Sequence, residues 1–308
     1  MVSKVDDTMN NQGQSIRGAR WWNHPSAGVV MGSVLFGTSG TARSYAPEGA
    51  TSLSVAGVRL LLGAVPLAIF ALWRRARPIP RPGALSFVAG ASMTAFQILF
   101  FAAVQRQGVA IGTMLAIGSS PIMTSIAELA RGERPHPRTI VGTVGALVGL
   151  ALLVLGQPHT QQPINAVGVA CGLGAGACYA LYTILSKQLL QKGWSTTWTM
   201  TWSFVIAGAL SIPIIFIEPT QWLTTPRGVT VALYLGIATI AVSYLLYSIS
   251  LRRLASSTVV TLTLVEPVTA SLLGVAILHE QLSVTSWCGA GVILLGLVLV
   301  GRNAPDSA

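Results

Sequence analysis

The sequence predicts an all-α integral membrane protein: ten transmembrane helices in two inverted five-helix repeats around a central cavity, both termini cytoplasmic. Three observations carry this prediction. Of 308 residues, 52% are apolar and only 9% charged, with a mean hydropathy of +0.65, whereas soluble domains carry about a quarter charged residues. The chain divides into ten apolar runs of the length a spanning helix needs, about 20 residues. The second half also repeats a phrase of the first.

In chain order the runs are 25–44, 51–73, 84–105, 110–130, 139–156, 167–190, 196–217, 229–251, 256–279 and 283–301, separated by Pro, Gly or charge. The first carries Gly28 and Gly32, a spacing that lets helices approach closely. The second holds Arg59 and Pro66; the third brings Thr94, Gln97 and Phe101. Thr113, Ser120, Thr124 and Glu128 recur at helical spacing in the fourth, beside Pro121. The fifth is Gly-rich from Gly142, and the sixth has Gly168, Gly172, Tyr179 and Thr183. Trp202 and Pro213 lie in the seventh, and Thr239, Ser243, Tyr244 and Tyr247 stripe the eighth. The ninth contains Thr263, Glu266 and Pro267, and the tenth opens at Gly289. Cys171, Cys178 and Cys288 all fall within apolar runs and are expected as small buried side chains, with neither disulfide nor zinc spacing. Residues 1–24 and 302–308 are expected as cytoplasmic tails, the first lacking the apolar stretch of a signal peptide.

Basic residues set the orientation, because positive loops stay cytoplasmic. An inner amino terminus places Lys4, Arg17, Arg20, Arg74, Arg75, Arg77, Arg81, Arg131, Arg134, Arg138, Lys187, Lys192, Arg252, Arg253 and Arg302 inside, and only Arg43, Arg106 and Arg227 outside. Arg59 remains within the membrane. The net charge of +10 therefore marks topology and not nucleic-acid binding. Trp21, Trp22, Trp73, Trp194, Trp222 and Trp287, near helix ends, are expected as interfacial anchors.

The repeat is read from two phrases. GSSPIMTSIAELARGE ends at Glu133 and LVEPVTASLLGVAILHE at Glu280; each has a mid-helix proline, Pro121 or Pro267, and a Gly-rich helix beginning nine residues after its final Glu. This divides the chain into repeats at 25–156 and 167–301. Five helices is an odd number, so the two copies cross the bilayer in opposite senses, which is a transporter's architecture.

These phrases, with GTVGALVGLALLVLG, resemble the drug/metabolite transporter superfamily and its ten-helix EamA-type branch, over nearly all of residues 28–301. In length and tail arrangement the sequence is similar to the YddG-type amino-acid exporters. The resemblance implies a monomeric exporter of amino acids, aromatic ones included, in a bacterial inner membrane, working by alternating access without a cofactor. It also implies a basket of helices outside which the last helix of each repeat stands. Drugs, other small metabolites and nucleotide sugars are the alternative cargoes within the superfamily.

Candidate cavity residues are Arg59, Gln97, Ser120, Tyr179, Trp202, Tyr244 and Glu266, with Pro121 and Pro267 as hinge candidates. Ionisable groups inside a membrane are costly and face protein or a wet cavity. For Glu266 and Arg59 two readings stay open: contact with the two ends of a zwitterion, or a structural role, as an ion pair or against carbonyls freed by Pro267. Ser120 occupies the place that matches Glu266 in the first repeat, so the carboxylate is not symmetric. His24, His136, His159 and His279 all fall in loops or at helix ends, and no HExxH pattern occurs, so neither catalysis nor a metal site is expected.

Overall fold

The computed structural model describes residues 24–74, 79–133, 136–156 and 165–302. Residues 1–23 and 303–308, expected as tails, lie outside the described residues, as do Arg75, Arg77, Arg134 and His159. Among the described residues all regular structure is helical: α1 (Ala27–Ser44), α2 (Ser52–Trp73), α3 (Ala84–Ala130), α4 (Pro137–Leu155), α5 (Ala166–Gln191), α6 (Thr196–Ile217), α7 (Pro226–Gly236), a π-helical turn (Ile237–Val242), α8 (Ser243–Arg253), α9 (Ser256–Leu262), α10 (Val265–Leu278) and α11 (Val284–Arg302), with a 3-10 turn at Gln221–Thr224.

Among the described residues, eight stretches are long and apolar enough to cross a membrane: α2, Ala84–Val109 of α3, α4, α5, α6, Pro226–Arg253, Ser256–Leu278 and α11. Helix suits such sequences because hydrocarbon offers a backbone no hydrogen bonds, so the segment must supply its own. Polar caps close the wet ends: Thr51, Asn165, Ser195 and Thr225 each accept a backbone N–H of the first turn. Large apolar side chains such as Ile69, Leu72, Phe216 and Leu295 are more than half exposed, the surface that lipid covers.

Three interruptions shape the bundle. Gly108, at φ 79°, ψ 163°, takes a conformation open to a residue without Cβ and folds α3 into two arms, 84–107 and 109–130. A π-helical turn joins α7 to α8. Between α9 and α10 the helix breaks at Thr263 and Leu264, where Pro267 weakens it: proline lacks the N–H that would bond Thr263, four residues back, and its ring crowds that carbonyl. Thr263 instead receives the N–H of Glu266 at 2.9 Å.

Helix contacts run backbone to backbone where small residues permit. Ser211 Oγ donates to the Gly57 carbonyl and Thr201 Oγ1 to that of Leu67, tying α6 to α2; Thr94 Oγ1 donates to Ala207. Along α4 and α11, Gly142 and Gly149 face Gly296 and Gly289, so close that a Cβ on Gly289 would lie 2.6 Å from the Gly149 carbonyl oxygen. Gly289→Leu is therefore expected to cost at least about 1–3 kcal/mol, as overpacking does. It should lower the thermal unfolding midpoint in detergent. Gly291→Leu, whose Cβ would meet nothing within 4 Å, should leave it unchanged.

Two expectations are corrected. Trp222 is buried, not an interfacial anchor: the 3-10 turn tucks it among Val55, Val58 and Leu235, and its indole donates to Ser54 Oγ at 2.9 Å. Cys288 is exposed on α11, and Cys171 and Cys178 are half-buried, because all three lie on helix faces that are not fully covered.

Candidate functional site

The helices enclose a cavity of about 330 Å³. Its mouth lies among exposed Gly40, Arg43 and Val109, and its walls come from α1, α2, both arms of α3, α4, α5, the α7–α8 segment and the α9–α10 break. Arg59, Ser120, Tyr179, Tyr244 and Glu266 all line it, with Pro267. No residue of α11 does. Leu150, Leu153 and Val154 of α4 reach the cavity. The opening for Leu150 is Gly118, which puts no side chain between it and the interior.

Arg59 is held by Gln97, whose Oε1 accepts from Nη2 at 2.8 Å. Gln97 itself is buried behind the wall. This leaves the Arg59 Nε buried without a hydrogen-bond partner. Arg59 and Glu266 are close enough to interact electrostatically, yet they make no ion pair within 4.0 Å.

The two matched prolines are handled differently. In α3, the carbonyl that Pro121 frees is that of Ile117, and Ser120 Oγ donates to it at 2.7 Å. No break results. Before α10 the freed Thr263 carbonyl is taken by the backbone N–H of Glu266, so no side chain is needed there. No protein donor reaches its carboxylate among the described residues, and it faces the cavity from the first turn of α10, where the helix dipole favours negative charge.

Trp202 lies apart from the cavity: its indole donates to the Pro80 carbonyl at 3.0 Å and its ring stacks on Trp198. Pro121 also stays out of the wall. Of the striped polar residues, Thr113, Thr239 and Thr263 line the cavity, whereas Thr183 pairs with Tyr247 in the buried core at 2.6 Å. Sequence reasoning missed Phe36, Phe96, Phe100 and Arg43, all lining residues. Arg43 had a signal, a cation closing the first apolar run. The phenylalanines had none, because in a membrane helix an aromatic ring suits lipid and cavity equally.

Opposite the mouth the bundle is shut. Lys187 Nζ donates to the carbonyls of Leu251 and Leu254, each at 2.8 Å, and to Arg252 at 3.3 Å. Buried Glu128 accepts the Ser257 N–H at 3.0 Å, and Thr143 and Thr261 share a hydrogen bond at 2.9 Å. Together these pin α5, the second arm of α3 and α4 to the α8–α9 junction.

Comparison with known proteins fits these features. The profile of the EamA-like transporter family matches residues 26–155 and again 166–302. The transporter YwfM of Bacillus subtilis is 37% identical over 275 residues, 88% of this chain and 92% of its own. The threonine/homoserine exporter RhtA of Escherichia coli (strain K12) is 30% identical over 272 residues, 86% of each chain, and the inner membrane transporter YicL of Salmonella typhimurium is 23% identical over 284, 90% of this chain and 94% of its own. A solved crystal structure at 17% identity superposes with a TM-score of 0.79 over 91% of this chain and 97% of that one, a likeness of fold. The matches do not single out the YddG type. The chain belongs to the EamA-like transporter family and is a multi-pass membrane transporter of small molecules, not an enzyme.

Proposed function

We propose that the protein exports amino acids across a bacterial inner membrane by alternating access, as a monomer, with Arg59 receiving the carboxylate and Glu266 the ammonium group. The observation that carries this is a pair of opposite charges in one cavity that make no direct ion pair with each other. Uncompensated charge within a membrane is expensive, and a zwitterion between the two would satisfy both. The names of the RhtA relatives support an amino-acid cargo, and that of YicL an inner-membrane location.

In this reading α1 and the 109–130 arm complete a set of ten spans, and the repeats are inverted. The double match of one family profile supports two repeats. So does reciprocal packing: a Cβ on Gly28 of α1 would meet the Leu246 carbonyl, and one on Gly168 of α5 would meet the side chains of Arg106 and Gln107, so each half's first helix rests on the other half's third. With the basic loops inside, the termini are cytoplasmic, the mouth is periplasmic and the arrangement faces outward. The test is counterflow in liposomes of purified protein preloaded with unlabelled amino acid. Saturable uptake of labelled amino acids is expected; a whole panel without exchange would sink the assignment and leave the family standing.

A further inference from the structure

Arg43, Arg106 and Arg227, the cations read as facing outward, differ in how they are held. Arg227 Nε donates to the Tyr45 carbonyl at 2.6 Å and Arg106 Nη1 to that of Ala102 at 3.2 Å. Arg43 makes no hydrogen bond or ion pair among the described residues. It is exposed in the last turn of α1 and stands in the cavity mouth.

The shut end shows what such a cation can do. Lys187, near the end of α5, grips Leu251, Arg252 and Leu254 where α8 ends, and the last carbonyls of a helix have no N–H of their own to meet. The negative end of a helix dipole also favours a cation there. Matching Pro121 to Pro267 sets Gln105, Arg106 and Gly108 opposite those three residues. The backbone bears the match out: Gly108 and Leu254 each stand just past a helical arm with extended ψ, 163° and 160°. Matching Gly28 and Gly32 to Gly168 and Gly172 sets Arg43 opposite Thr183, one turn before Lys187 on the same helix face. Thr183 meets Tyr247, whose counterpart is Phe101, a residue of the cavity wall. An arginine lying across that ring is favourably placed. It reaches the turn beyond, about 5.4 Å on, where the matched carbonyls are.

We propose that Arg43 closes the mouth as Lys187 closes the opposite end: when the mouth shuts, its guanidinium crosses Phe101 and takes the carbonyls at the end of the first arm of α3, while Lys187 lets go of its own. The two grips hold alternate states and work against each other. The proposal rests on the inverted-repeat, alternating-access part of the reading above and not on the cargo.

The reporter is Gly40→Cys in the full chain with Cys171, Cys178 and Cys288 changed to serine. Gly40 is exposed at the mouth and an added Cβ meets nothing within 4 Å, whereas its counterpart in the shut half, Ala180, is buried. The rate at which a polar maleimide labels the purified protein, with no amino acid present, reads how much of the time the mouth stands open. Lys187→Met should slow labelling severalfold by releasing the opposite end. Adding Arg43→Met should restore the rate, and adding Arg43→Lys, which keeps a charged donor, should leave it slow. Contact with cargo cannot produce this pattern, because none is there. Labelling that stays slow with Lys187→Met and Arg43→Met together overturns the role of Arg43. Labelling that Lys187→Met does not slow overturns the pairing of the two grips. The expected labelling pattern without amino-acid counterflow overturns the cargo and leaves the two grips standing.

Discussion

Arg59→Ala is expected to lower kcat/KM for every exchanged amino acid by about a hundredfold, since losing one partner of a buried charged contact costs roughly 2–5 kcal/mol. Two effects combine. The cargo's carboxylate loses its cation, and Gln97, whose Oε1 rests on the guanidinium, loses the group that orients it. Arg59→Lys should recover part of the rate, because lysine restores the charge but not the planar fork that can hold Gln97 and a carboxylate together. Counterflow of an amino acid beside its carboxyl amide checks the assignment. The wild type should strongly prefer the acid and Arg59→Ala should not. A preference unaltered in Arg59→Ala would place the carboxylate elsewhere.

Glu266 is the one carboxylate among the described residues that line the cavity, hence the group there able to carry a proton, and Glu266→Gln should separate that role from ammonium binding. The amide oxygen still accepts from an ammonium group but carries no charge, so counterflow should persist with KM raised roughly tenfold, the loss of a charge-assisted hydrogen bond. An amide cannot take up a proton, so accumulation driven by a pH gradient should vanish. Parallel assays in liposomes with and without an imposed gradient check this. Gradient dependence equal to that of the wild type would exclude Glu266 from proton coupling.

Much of this was legible in the sequence because its causes are local. Apolar runs of spanning length need no partner to be recognised, and that Pro267 frees the Thr263 carbonyl follows from covalent geometry alone. Arg59 and Glu266 were visible because charge inside a membrane is rare. What could not be read depends on partners far along the chain. Trp202 was chosen as an amphipathic aromatic, and only the Pro80 carbonyl, 122 residues away, takes it out of the cavity. Trp222 likewise owes its burial to Ser54, 168 residues away. Ser120 looked like the polar counterpart of Glu266, yet the hydroxyl serves Ile117 on its own helix. The matched positions share a proline and differ in what repairs its missing hydrogen bond.

The closed end has a consequence for how freely this protein can vary. Lys187 grips carbonyl oxygens at 251, 252 and 254, and every amino acid presents the same carbonyl. Replacements among those three positions leave the latch chemically intact so long as the chain keeps its path. The side that can be tuned is the lysine alone. Changes of transport rate through this contact are therefore concentrated at one codon, while Leu251 and Leu254, both buried in the core, are constrained by their packing and not by the latch.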